Sequence, residues 1–248
     1  MDNSSTKHAW PPHLGLALLP GMDGTGLMLQ RFRAMVPDPV PVTMVRYPTR
    51  ERHSFQALVE IAEQQLADDR PWVVVGESFS GAVAVELCRR GQRDLRALVL
   101  CVTFARSPLQ SLRWLLGLLP VPMLLRLPVP DMALRQFCLG HDAPPALLEQ
   151  MHRTLQAVAP EVLADRLAMI ASLDIRDRLS ALRLPCLYLQ ADADRLVPAS
   201  CLQPFRETIP QLAVRQVAGP HFLMESRPET SWAAIHAFIA ELPTGMLT

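Results

Sequence analysis

The chain has almost no lysine. Of its 24 basic residues only Lys7 is not arginine, and it sits in a polar N-terminal stretch. That scarcity removes a phosphate-binding P-loop lysine, a buried Schiff-base lysine and the Tyr-x-x-x-Lys pair of reductases. An excess of one charge is also missing, since 24 acidic residues balance the 24 basic ones. Without a basic stripe to meet phosphates, a nucleic-acid partner has no support. Cysteine is sparse and scattered (Cys88, Cys101, Cys138, Cys186, Cys201), with no C-x-x-C pair. An odd, dispersed set reads as reduced thiols in the cytoplasm rather than a disulfide framework. No run is long and apolar enough to span a bilayer, and Met1 to Trp10 lacks the apolar core of a signal peptide. No cofactor and no metal are expected.

What the chain does have is apolar content. Half of its 248 residues are hydrophobic, enough for a sizeable core in one large domain or one domain with an insertion. The most informative stretch runs from Trp72 to Leu87. A β-branched apolar run, Val73-Val74-Val75, enters Gly76-Glu77-Ser78-Phe79-Ser80-Gly81, and a small-residue helical pattern leaves it. A sharp strand-to-helix turn exposes and aims a serine hydroxyl, and the helix start offers a free N–H to a developing oxyanion. The usual G-x-S-x-G spacing is shifted, because Ser80 takes the last glycine position and Gly81 follows one residue late. Ser80 is a rival nucleophile, and an ordinary βα turn with an inert serine is the alternative to both.

Around this turn, apolar strand patterns at Leu14–Leu19, Val40–Val45, Val73–Val75, Leu95–Val102, Cys186–Leu189 and Val214–Val217 alternate with helical stripes. The stripes cover Leu27–Met35, Phe55–Leu66 and Trp232–Ile239. The alternation predicts an α/β fold, a mostly parallel central sheet with helices on both faces. It breaks after Phe104. From 106 to 183 only helical patterns and prolines appear, including stripes at Leu147, Leu148, Met151 and Leu155 and at Val162, Leu163, Leu167 and Ile170. Residues 106–183 are therefore expected to form a helical insertion into a core of residues 1–105 and 184–248. Within it, 109–129 is notably apolar, with Trp114, Leu115, Leu116 and Leu119 among its residues. It reads as a helix pair packed on the core, a greasy lid over an acyl pocket, or a membrane-surface contact. On the lid reading, Trp114, Leu115 and Leu119 are the candidate substrate contacts.

A serine nucleophile needs a base, and the base needs an orienter. Reactive groups in open α/β sheets gather at the carboxyl ends of strands. Of seven histidines, His221 directly follows a strand pattern, in Val217-Ala218-Gly219-Pro220-His221-Phe222. For the acid, Asp192 and Asp194 follow the Cys186 strand; Asp194, just before Leu196-Val197-Pro198, is the better placed. The first strand ends in Pro20-Gly21-Met22-Asp23-Gly24-Thr25-Gly26. A glycine-rich turn there exposes N–H groups suited to half of an oxyanion hole. A dinucleotide fingerprint needs G-x-G-x-x-G, whereas this run is G-x-x-G-x-G.

Serine, aspartate and histidine in that order, each at a strand end, resemble the α/β-hydrolase superfamily. The resemblance covers residues 14–241. It rests on Leu19-Pro20-Gly21-Met22-Asp23-Gly24, the Gly76–Gly81 elbow, Asp194-Arg195-Leu196-Val197-Pro198 and Gly219-Pro220-His221-Phe222. Pro20 stands where the common His-Gly form has histidine. The Pro-Gly-Met-Asp-Gly-Thr-Gly run is similar to that of bacterial hydrolases related to the plant phytyl ester synthases, which move acyl groups. Such relatives carry a helical cap where this chain has its insertion. The resemblance implies Ser78 as nucleophile, His221 as base, Asp194 as orienter, and the Met22 and Phe79 N–H groups as the oxyanion hole. It implies hydrolysis of a small-molecule carboxylic ester. A thioesterase or acyltransferase would use the same residues, and a ligand-binding protein on the same scaffold is the non-enzymatic alternative.

Overall fold

A computed structural model of the protein describes residues 10–66, 68–112, 114 and 118–247. Six strands form one sheet: β1 (Gly15–Leu19), β2 (Val42–Met44), β3 (Trp72–Glu77), β4 (Leu95–Cys101), β5 (Cys186–Ala191) and β6 (Ala213–Val217). They lie in the order β2-β1-β3-β4-β5-β6, and every pairing is parallel. The near-continuous apolar runs follow from this, because a central parallel strand is covered on both faces.

Alternation along the strands divides the core into two layers. Ala17, Leu19, Val74, Leu98, Leu100 and Tyr188 face α2 (Phe55–Gln65) and α3 (Phe79–Arg90). Leu16, Leu18, Val73, Val75, Val99 and Leu189 face Leu29 and Phe32 around α1 (Gln30–Arg33) and Ile235, Phe238 and Ile239 of the helix Pro228–Glu241. The structure thus has the fold the alternation predicts. The helix expected over 27–35 is cut to a single turn. Gly26, at φ +71°, opens it through the Gln30 N–H to Leu27 C=O turn, and three-residue turns carry the chain from Phe32 to Val36, ahead of Pro37.

Between β4 and β5 every element among the described residues is helical, apart from one isolated bridge between Arg106 and Asp174. The Ser107 N–H donates to Leu173 C=O at 3.0 Å, and the Ile175 N–H donates to Ala105 C=O at 2.8 Å, so the excursion leaves and returns through one neck. Its two long helices, Pro145–Gln156 and Pro160–Ser172, each begin with proline, which is preorganised for the first helical position. Their apolar stripes bury Leu147, Leu148 and Met151 in one cluster and Val162 and Leu163 in another.

Candidate active site

The chain runs from β1 outward to β2 and then crosses back to β3 on the other side of β1. This reversal opens a crevice at the carboxyl ends of β1 and β3, where α/β sheets bind ligands. Ser78 sits there at φ 49°, ψ −118°, between β3 and α3. A non-glycine residue at positive φ is strained and persists only when its surroundings hold it. The Ser78 N–H donates to Cys101 C=O at 2.9 Å, and the Thr103 hydroxyl donates to Ser78 C=O at 2.6 Å. A Cβ on Gly76 would lie 2.6 Å from the Ser80 carbonyl oxygen, and one on Gly81 would lie 2.1 Å from Thr103 Oγ1. The glycine one residue late is therefore required by Thr103. Ser80 is buried, donates its hydroxyl to Pro20 C=O and lies 3.0 Å from Tyr47 Oη, so it is committed to structure rather than aimed at the crevice.

His221 Nε2 lies 3.0 Å from Ser78 Oγ, and His221 Nδ1 lies 2.8 Å from Asp194 Oδ2. The neutral tautomer that fits both partners donates Nδ1–H to the carboxylate and leaves Nε2 to accept the serine proton. Asp194 Oδ1 accepts the Leu196 and Val197 N–H groups, each at 2.8 Å, which fixes the carboxylate. Asp192 has a different task. Its Oδ1 accepts the Gly219 N–H at 2.9 Å, tying the histidine loop to the end of β5. The sequence thus brings Ser78, Asp194 and His221 into one relay.

Phe79 is the first residue of α3, and Met22 lies in the turn closed by the Gly24 N–H to Gly21 C=O bond of 3.1 Å. Neither the Met22 nor the Phe79 N–H has a protein acceptor among the described residues. The crevice opens into a cavity of about 330 Å³ with Gly21, Met22, Asp23, Glu77, Ser78 and His221 at its polar end. The helix Pro145–Gln156 contributes Met151 and Leu155 to its wall, and Pro160–Ser172 contributes Leu163, Leu167 and Ile170. Phe104, Leu109, Leu196 and Phe222 are among the other lining residues.

Trp114 and Leu119 are not in that wall. They are 68% and 42% exposed on the outside of the insertion, and Leu115 lies outside the described residues. After Leu119, Pro120 and Pro122 open the short helix Val121–Leu124, which buries none of its residues. The amphipathic helices further along build the wall instead. The sequence marks them as helices, and their role as cavity wall follows from the neck that folds them over the sheet end.

Three buried carboxyls, Asp23, Glu77 and Glu225, cluster at the polar end of the site. Glu77 Oε1 and both Glu225 oxygens have no hydrogen-bond partner among the described residues. Burial first, and then the mutual proximity of the two carboxyls, pushes Glu77 well above the ordinary carboxylate range; burial also raises Glu225. One shared proton satisfies such a pair. Asp23 is likewise raised by burial, although it accepts the Thr25 N–H at 2.8 Å. Cys138 lines the cavity, but burial pushes its thiol up to about 11, which leaves little thiolate for attack. Among the described residues no group of His, Cys, Asp and Glu is arranged to hold a metal ion, and no helix is long and apolar enough to cross a membrane.

A parallel sheet with a serine elbow at its switch point and a histidine loop after its last strand defines an α/β-hydrolase. The chain belongs to the serine aminopeptidase S33 family, whose model matches residues 53–222. Solved structures share the fold across nearly the whole chain. The enol-lactonase of Burkholderia xenovorans LB400 superposes with a TM-score of 0.76 at 16% identity, covering 94% of this chain and 93% of its own. A thermophilic esterase from Thermogutta terrifontis gives 0.75 at 21% identity, covering 95% and 91%. Among curated proteins, the chloroplastic phytyl ester synthase 1 of Arabidopsis thaliana is 32% identical over 114 residues, 42% of this chain. The match spans only 16% of that relative's length.

Proposed function

We propose that the protein is a serine hydrolase that cleaves carboxylic esters with an apolar acyl part, through an acyl-enzyme on Ser78. The observation that carries this reading is the Ser78–His221–Asp194 relay, with contacts of 3.0 and 2.8 Å, at the polar end of an otherwise apolar cavity. His221 Nε2 takes the hydroxyl proton as Ser78 Oγ bonds to the ester carbonyl carbon. The carbonyl π electrons move to oxygen, and the Met22 and Phe79 N–H groups hold that oxyanion. The tetrahedral adduct expels the alkoxide, which takes the proton from His221. Water repeats the sequence on the acyl-enzyme, releasing the acid and restoring Ser78. Asp194 orients the ring through Nδ1 and stabilises the imidazolium.

Residues 106–183 act as the cap on this reading, over a core of 1–105 and 184–248. The five free thiols fit a reducing compartment, the cytoplasm. An aminopeptidase needs an ionised acid for the substrate ammonium. Asp23 and Glu77 line the cavity, but burial drives both toward the neutral form.

A methylene takes roughly the volume of a water, about 30 Å³, so the cavity holds an acyl chain on the order of ten carbons. Each methylene seated there gains about 0.8 kcal/mol, roughly fourfold in kcat/KM. A p-nitrophenyl ester series should therefore climb by about that factor per carbon and level off near decanoate. A flat series, or faster turnover of aminoacyl p-nitroanilides, overturns the reading. Acyl transfer is the second reading, favoured by the partial match to a phytyl ester synthase. A long-chain alcohol added to the assay would then divert the acyl group from acid to new ester.

A further inference from the structure

Arg166 is 2% exposed, yet among the described residues no carboxylate lies within ion-pairing distance of it, and the Asp23 charge acts on it only from further off. A buried guanidinium without a counter-ion is costly unless its N–H groups are satisfied. Its donors go to main-chain carbonyls. Nη1 donates to Met22 C=O at 2.9 Å and Asp23 C=O at 2.7 Å, and Nη2 donates to Pro48 C=O at 2.7 Å. The guanidinium carbon also lies 5.7 Å from the centre of the Tyr47 ring.

These bonds complete a pattern in the turn after β1. The Pro20 carbonyl accepts from the Ser80 hydroxyl, and that of Gly21 accepts from the Gly24 N–H. Those of Met22 and Asp23 accept from Arg166, and that of Gly24 accepts from the Tyr47 N–H at 2.8 Å. Every carbonyl from 20 to 24 is thus engaged, while the Met22 N–H keeps no protein acceptor. Even Gly24 is shaped by the arrangement: at φ +72°, a Cβ there would lie 2.5 Å from Arg166 Nη1. The same helix, Pro160–Ser172, presents Leu163, Leu167 and Ile170 to the cavity. One helix therefore carries both a wall of the acyl site and the clamp on the turn.

We propose that Arg166 is a positioning residue that holds the Met22 N–H at the reacting carbonyl and links acyl-chain seating to that geometry. An acyl chain packed against Leu163, Leu167 and Ile170 fixes the helix, and Arg166 passes the constraint to the turn. Long chains then raise kcat as well as lowering KM. The inference rests on the ester-hydrolase reading above.

The test measures kcat and KM for p-nitrophenyl butyrate and decanoate with wild type, Arg166→Met and Arg166→Lys. Losing a well-aimed oxyanion donor costs roughly 100- to 1,000-fold in kcat. Arg166→Met should approach that loss on decanoate with KM within about threefold, and its decanoate-to-butyrate kcat ratio should fall to about one. Arg166→Lys, keeping the cation but losing the fork, should recover about tenfold. If Arg166→Met does not fold, the lysine variant carries the test: its kcat falls at constant KM while its melting curve stays cooperative. Wild-type kcat and an unchanged decanoate-to-butyrate ratio in either variant overturn the positioning role. Absence of ester turnover in wild type would instead fail the underlying reading.

Discussion

Two aspartates two residues apart in the chain, Asp192 and Asp194, should lose very different amounts of activity in the same isosteric change. In Asp194→Asn, one side-chain atom can still accept the Leu196 and Val197 N–H groups, so the loop keeps its shape. The atom facing His221 Nδ1, now 2.8 Å away as a carboxylate oxygen, becomes an NH2. An NH2 only donates, so Nδ1 must become the acceptor and the ring proton moves to Nε2, facing Ser78 Oγ at 3.0 Å. The base is then blocked in its resting tautomer, and the imidazolium loses its counter-charge. The same exchange in a serine-protease triad costs about 10⁴ in kcat, or roughly 5.5 kcal/mol at 1.36 kcal/mol per decade. Asp192→Asn keeps an oxygen to accept the Gly219 N–H, now at 2.9 Å. Its cost is the difference between a charge-assisted and a neutral hydrogen bond, about 1 kcal/mol, and under tenfold in rate. Initial rates on p-nitrophenyl hexanoate, with melting curves for both variants, read this directly. A larger loss in Asp192→Asn, or an Asp194→Asn loss under tenfold, refutes the assignment of the acid.

Other expectations follow from packing and titration. Gly81→Ala forces a methyl to within 2.1 Å of Thr103 Oγ1. Overpacking of this kind costs about 1–3 kcal/mol, at roughly 2–4 °C of melting temperature per kcal/mol for a chain of this size. A variant melting with wild type would show that the elbow tolerates a side chain. The Glu77–Glu225 pair gives a pH test. Both folded-state values are raised, so the pair favours folding below the ordinary glutamate range, and that contribution is lost as pH rises through the raised values. Glu225→Gln should therefore gain melting temperature over wild type between about pH 5 and about pH 8. A gap that is constant across this range, in calorimetric scans, contradicts the shared proton.

Much of the fold is local and is readable in the sequence for that reason. The strand, elbow and helix from Trp72 to Arg90 are contiguous, and their glycines answer to neighbours in the same turn or the adjacent strand end. His221 and Asp194 are visible because each follows a strand, and a parallel sheet gathers strand ends on one edge. The cavity wall is harder to read, since two kinds of apolar stretch compete in the insertion. In the greasier one, Trp114 and Leu119 face outward and only its ends, Leu109 and Val129, reach the cavity among the described residues, while the quieter amphipathic helices turn inward. Arg166 escapes a reading of the sequence because its partners are backbone carbonyls more than a hundred residues away, which no local pattern marks. One signal is present: an arginine set among Val162, Leu163 and Ile170 on the buried face of a helix, where a charge needs a purpose.

The central claim is that the Ser78 oxygen, made reactive by His221, carries the acyl group between the two half-reactions. Acid-quenching the enzyme during turnover of p-nitrophenyl decanoate and mapping the adduct by peptide mass spectrometry tests it. The account predicts a decanoyl mass on the peptide containing Ser78, localised to that side chain by fragmentation, and its loss together with turnover in Ser78→Ala. A decanoyl group on Ser80 or Cys138, or wild-type turnover in Ser78→Ala, would contradict it.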